Sequence, residues 1–237
     1  KHSDLPELVQ LLCQSGCDVN HADWQGKNAL LALAENAPNF RKEILEATRT
    51  LLDYGIRVNH ADVNGSNGLL SMVMNVMGTC CKYGSLLDLN KSAYWDLLNL
   101  LVDAGTNVNQ LYRRGWSALM SMLFHWGRCN QLACSQCLIK HGRFDSIEKG
   151  PEIRGIEHFR GLLNFVERLL RAGAKTESHF NRKVESMLLF VCAHYKGDEL
   201  IALVELLCKY GADVNAKTAR RPGLAHIEYY EALNAVD

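Results

Sequence analysis

Four side chains in one short stretch have the chemistry to hold a metal: Cys129, Cys134, Cys137 and His141, spaced C-x4-C-x2-C-x3-H. Thiolate and imidazole are ordinary zinc ligands, and four of them would close a structural site. The spacing matches no recognised zinc pattern. The segment 131–140 also reads as a helix with Cys134 and Cys137 one turn apart. We therefore read these as core or surface thiols, and Cys80-Cys81 in the same way. No nucleophile motif pairs any of the nine histidines with a Ser or Cys. Neither G-x-x-x-x-G-K-[ST] nor G-x-G-x-x-G occurs. His2, His21 and His60 read as satisfied structural residues. The expectation is a chain that is not an enzyme and carries no metal or cofactor.

The elements that would position these groups belong to a folded protein. The 237 residues are 48% hydrophobic and 22% charged, which excludes disorder. Lys+Arg and Asp+Glu both count 26, so a uniformly basic surface for nucleic acid or membrane is not expected. No apolar run approaches the roughly 20 residues of a membrane span, and no stretch has the order of a signal peptide. Nine cysteines, an odd number without a secretion signal, suggest a reducing compartment, cytoplasmic or nuclear.

The chain repeats itself, which decides the organisation. An apolar helical run, a Gly and a short polar segment ending in Val-Asn recur as LVQLLCQSGCDVNHAD at 8–23, TLLDYGIRVNHAD at 50–62 and LLNLLVDAGTNVNQ at 97–110. They return as a weak CLIKHGRFDS at 137–146, FVERLLRAGAKTES at 165–178 and LVELLCKYGADVNAK at 203–217. The glycines are Gly16, Gly55, Gly105, Gly142, Gly173 and Gly211. A second block follows about ten residues later: DWQGKNALLAL at 23–33, DVNGSNGLLSM at 62–72, YRRGWSALMSM at 112–122 and a decayed NRKVESMLLFV at 181–191, with Lys183 in place of Gly. Leucines at i, i+3 and i+4 define one helix face, the glycine suits a left-handed helix end, and Asp-x-x-Gly is turn chemistry. Each unit is predicted to be helix, turn, helix, the second helix starting near Ala29, Leu69, Ala118 and Ser186. Such a unit must stack on neighbours to bury its apolar face.

This pattern resembles the ankyrin repeat. Gly211-Ala212-Asp213-Val214-Asn215-Ala216 matches the second half of its consensus residue for residue. Asp23, Gly26, Leu30 and Ala34, and then Asp62, Gly65 and Leu69, match the first half. The usual Thr-Pro-Leu-His is replaced by Asn-Ala-Leu-Leu, Asn-Gly-Leu-Leu and Ser-Ala-Leu-Met. The resemblance covers about 5–230 and implies an all-α solenoid of some six repeats over 1–237, one domain of a longer protein. The unit 142–173 is expected to be irregular. Extra sequence at 78–92 and 35–43 is expected to form loops between the helices of a repeat, and 146–157 is the most linker-like stretch.

The resemblance also implies where a partner binds, since hairpin tips and the exposed side of the inner helices line a concave groove in such arrays. By register the tips are Trp24, Gln25 and Lys27; Val63, Asn64 and Ser66; Arg113, Arg114 and Trp116; and Arg182, Lys183 and Val184. Inner-helix positions Glu35, Asn36, Met74, Asn75, Phe124 and His125 adjoin them. Trp and Arg are the residues of binding hot spots. Basic tips against acidic outer helices predict a groove for an acidic peptide, a carboxylate or a phosphorylated group. The expected function is capture of a protein or peptide by a monomeric module, and the resemblance extends to substrate receptors of ubiquitin ligases. The alternatives are sensing of a phosphorylated, oligoadenylate-like ligand, for which Trp116 in Gly-Trp-Ser-Ala-Leu is the cue, and a plain scaffold.

Overall fold

A computed structural model describes residues 4–36, 42–83, 92–131, 156–180, 183–195 and 197–217. The described chain is helical: Leu5–Gln14 (α1), Ala29–Glu35 (α2), Lys42–Asp53 (α3), Gly68–Tyr83 (α4), Ser92–Asp103 (α5), Ala118–Gln131 (α6), Ile156–Arg171 (α7), Met187–His194 (α8) and Gly197–Lys209 (α9). One feature departs from an all-α fold. Glu177–Phe180 (β1) and Lys183–Ser186 (β2) pair antiparallel, Glu177 opposite Ser186.

The second helix of each described unit begins within a residue of its expected start, and in α2, α4 and α6 a polar side chain caps it, whereas Ser186 before α8 makes no side-chain cap bond. Asn28 Oδ1 accepts the Leu31 N–H at 3.1 Å and Asn67 Oδ1 that of Leu70 at 3.0 Å. Ser117 Oγ accepts from the Met120 N–H at 3.2 Å. These are N-cap bonds, each worth about 1 kcal/mol, and they account for Asn and Ser where the resemblance led us to look for Thr. The first helix of each described unit ends on a glycine in the left-handed region, as at Gly55 (φ 79°), whose N–H bonds to the Leu52 carbonyl at 3.0 Å.

The helices form two rows. In one, α1 packs on α3, α3 on α5 and α5 on α7; in the other, α2 packs on α4, α4 on α6 and α6 on α8. The rows are joined where α2 meets α3, α4 meets α5 and α8 meets α9. Leu69, Leu97, Leu98, Leu101, Leu119, Leu123, Leu162, Val166, Leu169, Leu203 and Leu207 are fully buried between them. Each contributes about 1.5–3 kcal/mol relative to exposure. The approach of α5 and α7 is close: a Cβ on Gly161 would sit 2.7 Å from Trp95 Nε1.

The Val-Asn asparagines tie successive units together. Asn20 Nδ2 donates to the Gly55 carbonyl at 3.2 Å while its Oδ1 accepts the Arg57 N–H at 2.7 Å. Asn59 repeats this with Gly105 and Asn107 at 3.2 and 2.6 Å, and Asn109 with Gly173 and Lys175 at 2.8 and 2.9 Å. The ladder thus runs from the unit of Gly105 to that of Gly173. The weak copy around Gly142 and the segment 146–155 lie outside the described residues, as do 84–91 of the 78–92 insertion and 37–41. The sequence at 78–83 continues α4, and 156–157 opens α7, so neither end of those stretches is a loop.

Candidate functional site

The tips are built from the Asp-x-x-Gly segments. Asp23 Oδ1 accepts the backbone N–H groups of Gln25 and Lys27 at 2.9 and 2.8 Å, and Asp62 Oδ1 those of Asn64 and Ser66 at 2.9 Å each. Each carboxylate is spent on its own turn, so the tip closes without outside help. Neighbouring tips are then bonded to one another. The Val63 N–H donates to the Gln25 carbonyl and the Arg113 N–H to the Asn64 carbonyl, both at 3.1 Å. From below, His60 Nε2 lies 2.7 Å from the Gly26 carbonyl and Gln110 Nε2 donates to the Gly65 carbonyl at 2.7 Å. A carbonyl only accepts, so the His60 ring carries its hydrogen on Nε2.

This bonding sets Trp24, Val63 and Arg113 at corresponding places on three adjacent tips. Trp24 is 87% exposed and Val63 65% exposed. Arg113 is exposed and forms no ion pair among the described residues. Leu111 beside it is also exposed. The result is a rigid row bearing an indole, an isopropyl group and a guanidinium.

Several expected contacts are corrected. Trp116 is only 8% exposed, and its ring meets Phe124 edge-on, centroids 4.9 Å apart. Phe124 is itself buried and lies 5.9 Å from Phe190 of α8. Both are core residues between α6 and α8, because their apolar area is better covered by the next inner helix than left in water. Ser66 is buried, its Oγ 2.8 Å from Ser71 Oγ. Lys27 is not a free cation. It pairs with Glu35, whose hydrogen bond outweighs the desolvation of the ammonium and, with the weaker charges of Glu35, Asp23 and Asp62, holds it above the usual lysine range. Gln25 and Asn64 are half-buried and contribute their carbonyls to the tip row. Arg182 lies outside the described residues, as do the side chains of Arg114, His125, Lys183 and Val184. Of the inner-helix positions, Asn36 Nδ2 bonds to the Ala32 carbonyl and Asn75 Nδ2 to that of Ala34.

The outer face is mixed in sign where acidity was expected. Glu167 accepts from Lys209 Nζ at 2.9 Å, Arg171 at 3.0 Å and the Tyr210 hydroxyl at 3.2 Å. The hydrogen bonds from Lys209 and then Arg171 hold its carboxyl below the ordinary carboxylate range. Arg168 pairs with Asp103 across α7 and α5. Among the described residues no three His, Cys, Asp or Glu side chains converge on a metal position. Cys134, Cys137 and His141 lie outside them, as does the side chain of Cys129. No described helix is long and apolar enough to cross a membrane.

The positioning roles of His60 and Gln110 escaped sequence reasoning, although the signal was present. Both stand five residues after a helix-ending glycine, at the same register position as His21. No protein-family model matches the chain, and no curated protein matches it significantly.

Proposed function

We propose that the chain is an ankyrin-type stack that binds a protein or peptide along its tip row, with Trp24, Val63 and Arg113 as the contact residues. The observation that carries this reading is the exposure of Trp24. An indole left 87% exposed on a tip whose backbone is already bonded to its neighbour offers a large contact area on an ordered main chain, which is the property of a hot-spot residue. Val63 extends the apolar contact. Arg113, in no ion pair among the described residues, supplies a bidentate site for an acidic side chain or chain terminus of the partner. The preference for an acidic partner rests on Arg113 rather than on a basic stripe, since Lys27 is neutralised by Glu35.

Recognition of a phosphorylated small ligand is less well supported, because Trp116, its aromatic cue, belongs to the core. The narrower role of ubiquitin-ligase substrate receptor rests on the sequence resemblance alone. The test is affinity purification with three baits, wild type, Trp24→Ala and Arg113→Glu, each checked for unchanged circular dichroism. Proteins retained by wild type and lost from both variants are the expected result. Identical sets from all three baits overturn the reading.

A further inference from the structure

Leu8 and Leu12 of α1 are 52% and 47% exposed. Counted back from the helix-ending glycine, the same two positions hold Ala47 and Leu51 in the next unit and Leu203 and Leu207 in the last, and all four are buried. The backbone shows the same gap. At Gly55, Gly105 and Gly173, the glycine carbonyl and the N–H two residues later are both taken by an asparagine of an earlier unit, as Gly55 and Arg57 are by Asn20. Their counterparts, the Gly16 carbonyl and the Asp18 N–H, have no hydrogen-bond partner among the described residues.

The other end of the stack carries the matching half. Asn215 stands where Asn20, Asn59 and Asn109 stand, but it is exposed and its side-chain amide is unengaged among the described residues. In α9, Leu200, Val204 and Cys208 occupy the positions that Leu5, Val9 and Cys13 occupy in α1, the same three residue types in the same order. In α1 this set accompanies its packing on α3, and Cys13 is buried; Cys208 is exposed. The α9 face therefore repeats the surface that α1 uses to cover a neighbour, and among the described residues nothing covers Leu8 and Leu12 of α1.

We propose that a second copy of this chain covers α1, with α9 of one copy lying on α1 of the next as α1 lies on α3, and with Asn215 bridging the Gly16 carbonyl and the Asp18 N–H. The contact is head to tail, so each added copy leaves a new free end and association grows with concentration rather than closing as a dimer. It continues an interface the chain already uses within itself. It involves the ends of the stack and not the tips, so it stands or falls separately from the partner-binding reading.

The test is sedimentation velocity on the full chain under reducing conditions, from about 1 μM to about 100 μM, where a contact of this kind is read. Wild type is expected to rise in mass with concentration. An α1-face variant, Leu8→Glu with Leu12→Glu, and an α9-face variant, Val204→Glu with Asn215→Ala, are each expected to stay monomeric with wild-type circular dichroism. Leu8→Gln with Leu12→Gln replaces the first pair if its fold is lost. Mixing the two variants restores one intact contact and is expected to give a heterodimer and nothing larger. A wild type that stays monomeric throughout, variants that associate like wild type, or a mixture that forms no heterodimer would each overturn the proposal. A monomeric wild type would leave α1 to a further unit of the same polypeptide or to another protein.

Discussion

The tips at Gly26 and Gly65 and the hairpin at 177–186 occupy the same place in their units and are built on different principles. In the first two, an aspartate caps a four-residue turn, a glycine takes the left-handed conformation, and the turn bonds to the next tip. At Gly173 the asparagine of the ladder becomes Glu177, and the turn glycine becomes Lys183. Among the described residues no side-chain amide bridges this unit to Gly211. A two-stranded ladder takes over instead, closed by the Met187 N–H on the Thr176 carbonyl at 2.9 Å and packed against the Arg113–Gly115 turn. The comparison shows that helix stacking does not depend on one kind of tip. Either a side-chain-capped turn or a paired hairpin satisfies the backbone where the chain reverses.

Substitutions that separate core, ladder and tip would break or sharpen this contrast. The largest effect is expected from Trp116→Ala. Removing a buried indole between α6 and α8 should cost about 3–5 kcal/mol in urea unfolding, whereas a tip contact would cost almost nothing. Asn59→Ala removes both bonds to the Gly105 unit and should cost about 1–3 kcal/mol. Glu177→Ala, the counterpart in the hairpin unit, should stay within about 0.5 kcal/mol. Gly65→Ala should cost upwards of about 1 kcal/mol by the same measurement, because φ is 83° and the new Cβ would meet the Leu111 carbonyl oxygen at 2.7 Å. No such penalty applies at Lys183, where the hairpin already accepts a side chain.

Smaller effects are expected at the surface. Glu167 has a carboxyl held below its ordinary value of 4.5. Its contribution is therefore complete above that value and is lost as pH falls through the lower folded one. Stability of Glu167→Gln, measured by denaturant midpoints at pH 7 and then from about pH 5 to about pH 3, should fall less steeply on acidification than that of wild type. The smallest expected change is that of Trp24→Ala, within about 0.5 kcal/mol of wild type. Loss of partner with unchanged stability would place Trp24 apart from Trp116.

Much of the helical pattern was legible because it is local. The starts of α2, α4 and α6 follow from Asn28, Asn67 and Ser117, which cap whatever helix follows them. The end of α3 follows from Gly55, which needs no neighbour to adopt a positive φ. The α7 start at Ile156 was not legible, since 146–157 reads as linker and the helix is distinguished by its packing on α5 and α9. The site was legible by position but not by exposure. Trp24 and Trp116 both flank a tip glycine, yet one projects into water while the other turns onto Phe124. That difference depends on where α6 and α8 bring their side chains.

By itself the sequence determined the repeating unit, its caps, its turns and its even balance of charge, because each depends on residues a few positions apart. Only the tertiary structure decided which units touch, which tryptophan is core, and that Lys27 spends its charge on Glu35. Those outcomes depend on side chains brought together by stacking, such as Asn109 on Gly173 across the chain between them. Burial in such a stack is a property of neighbouring units and not of the residue alone.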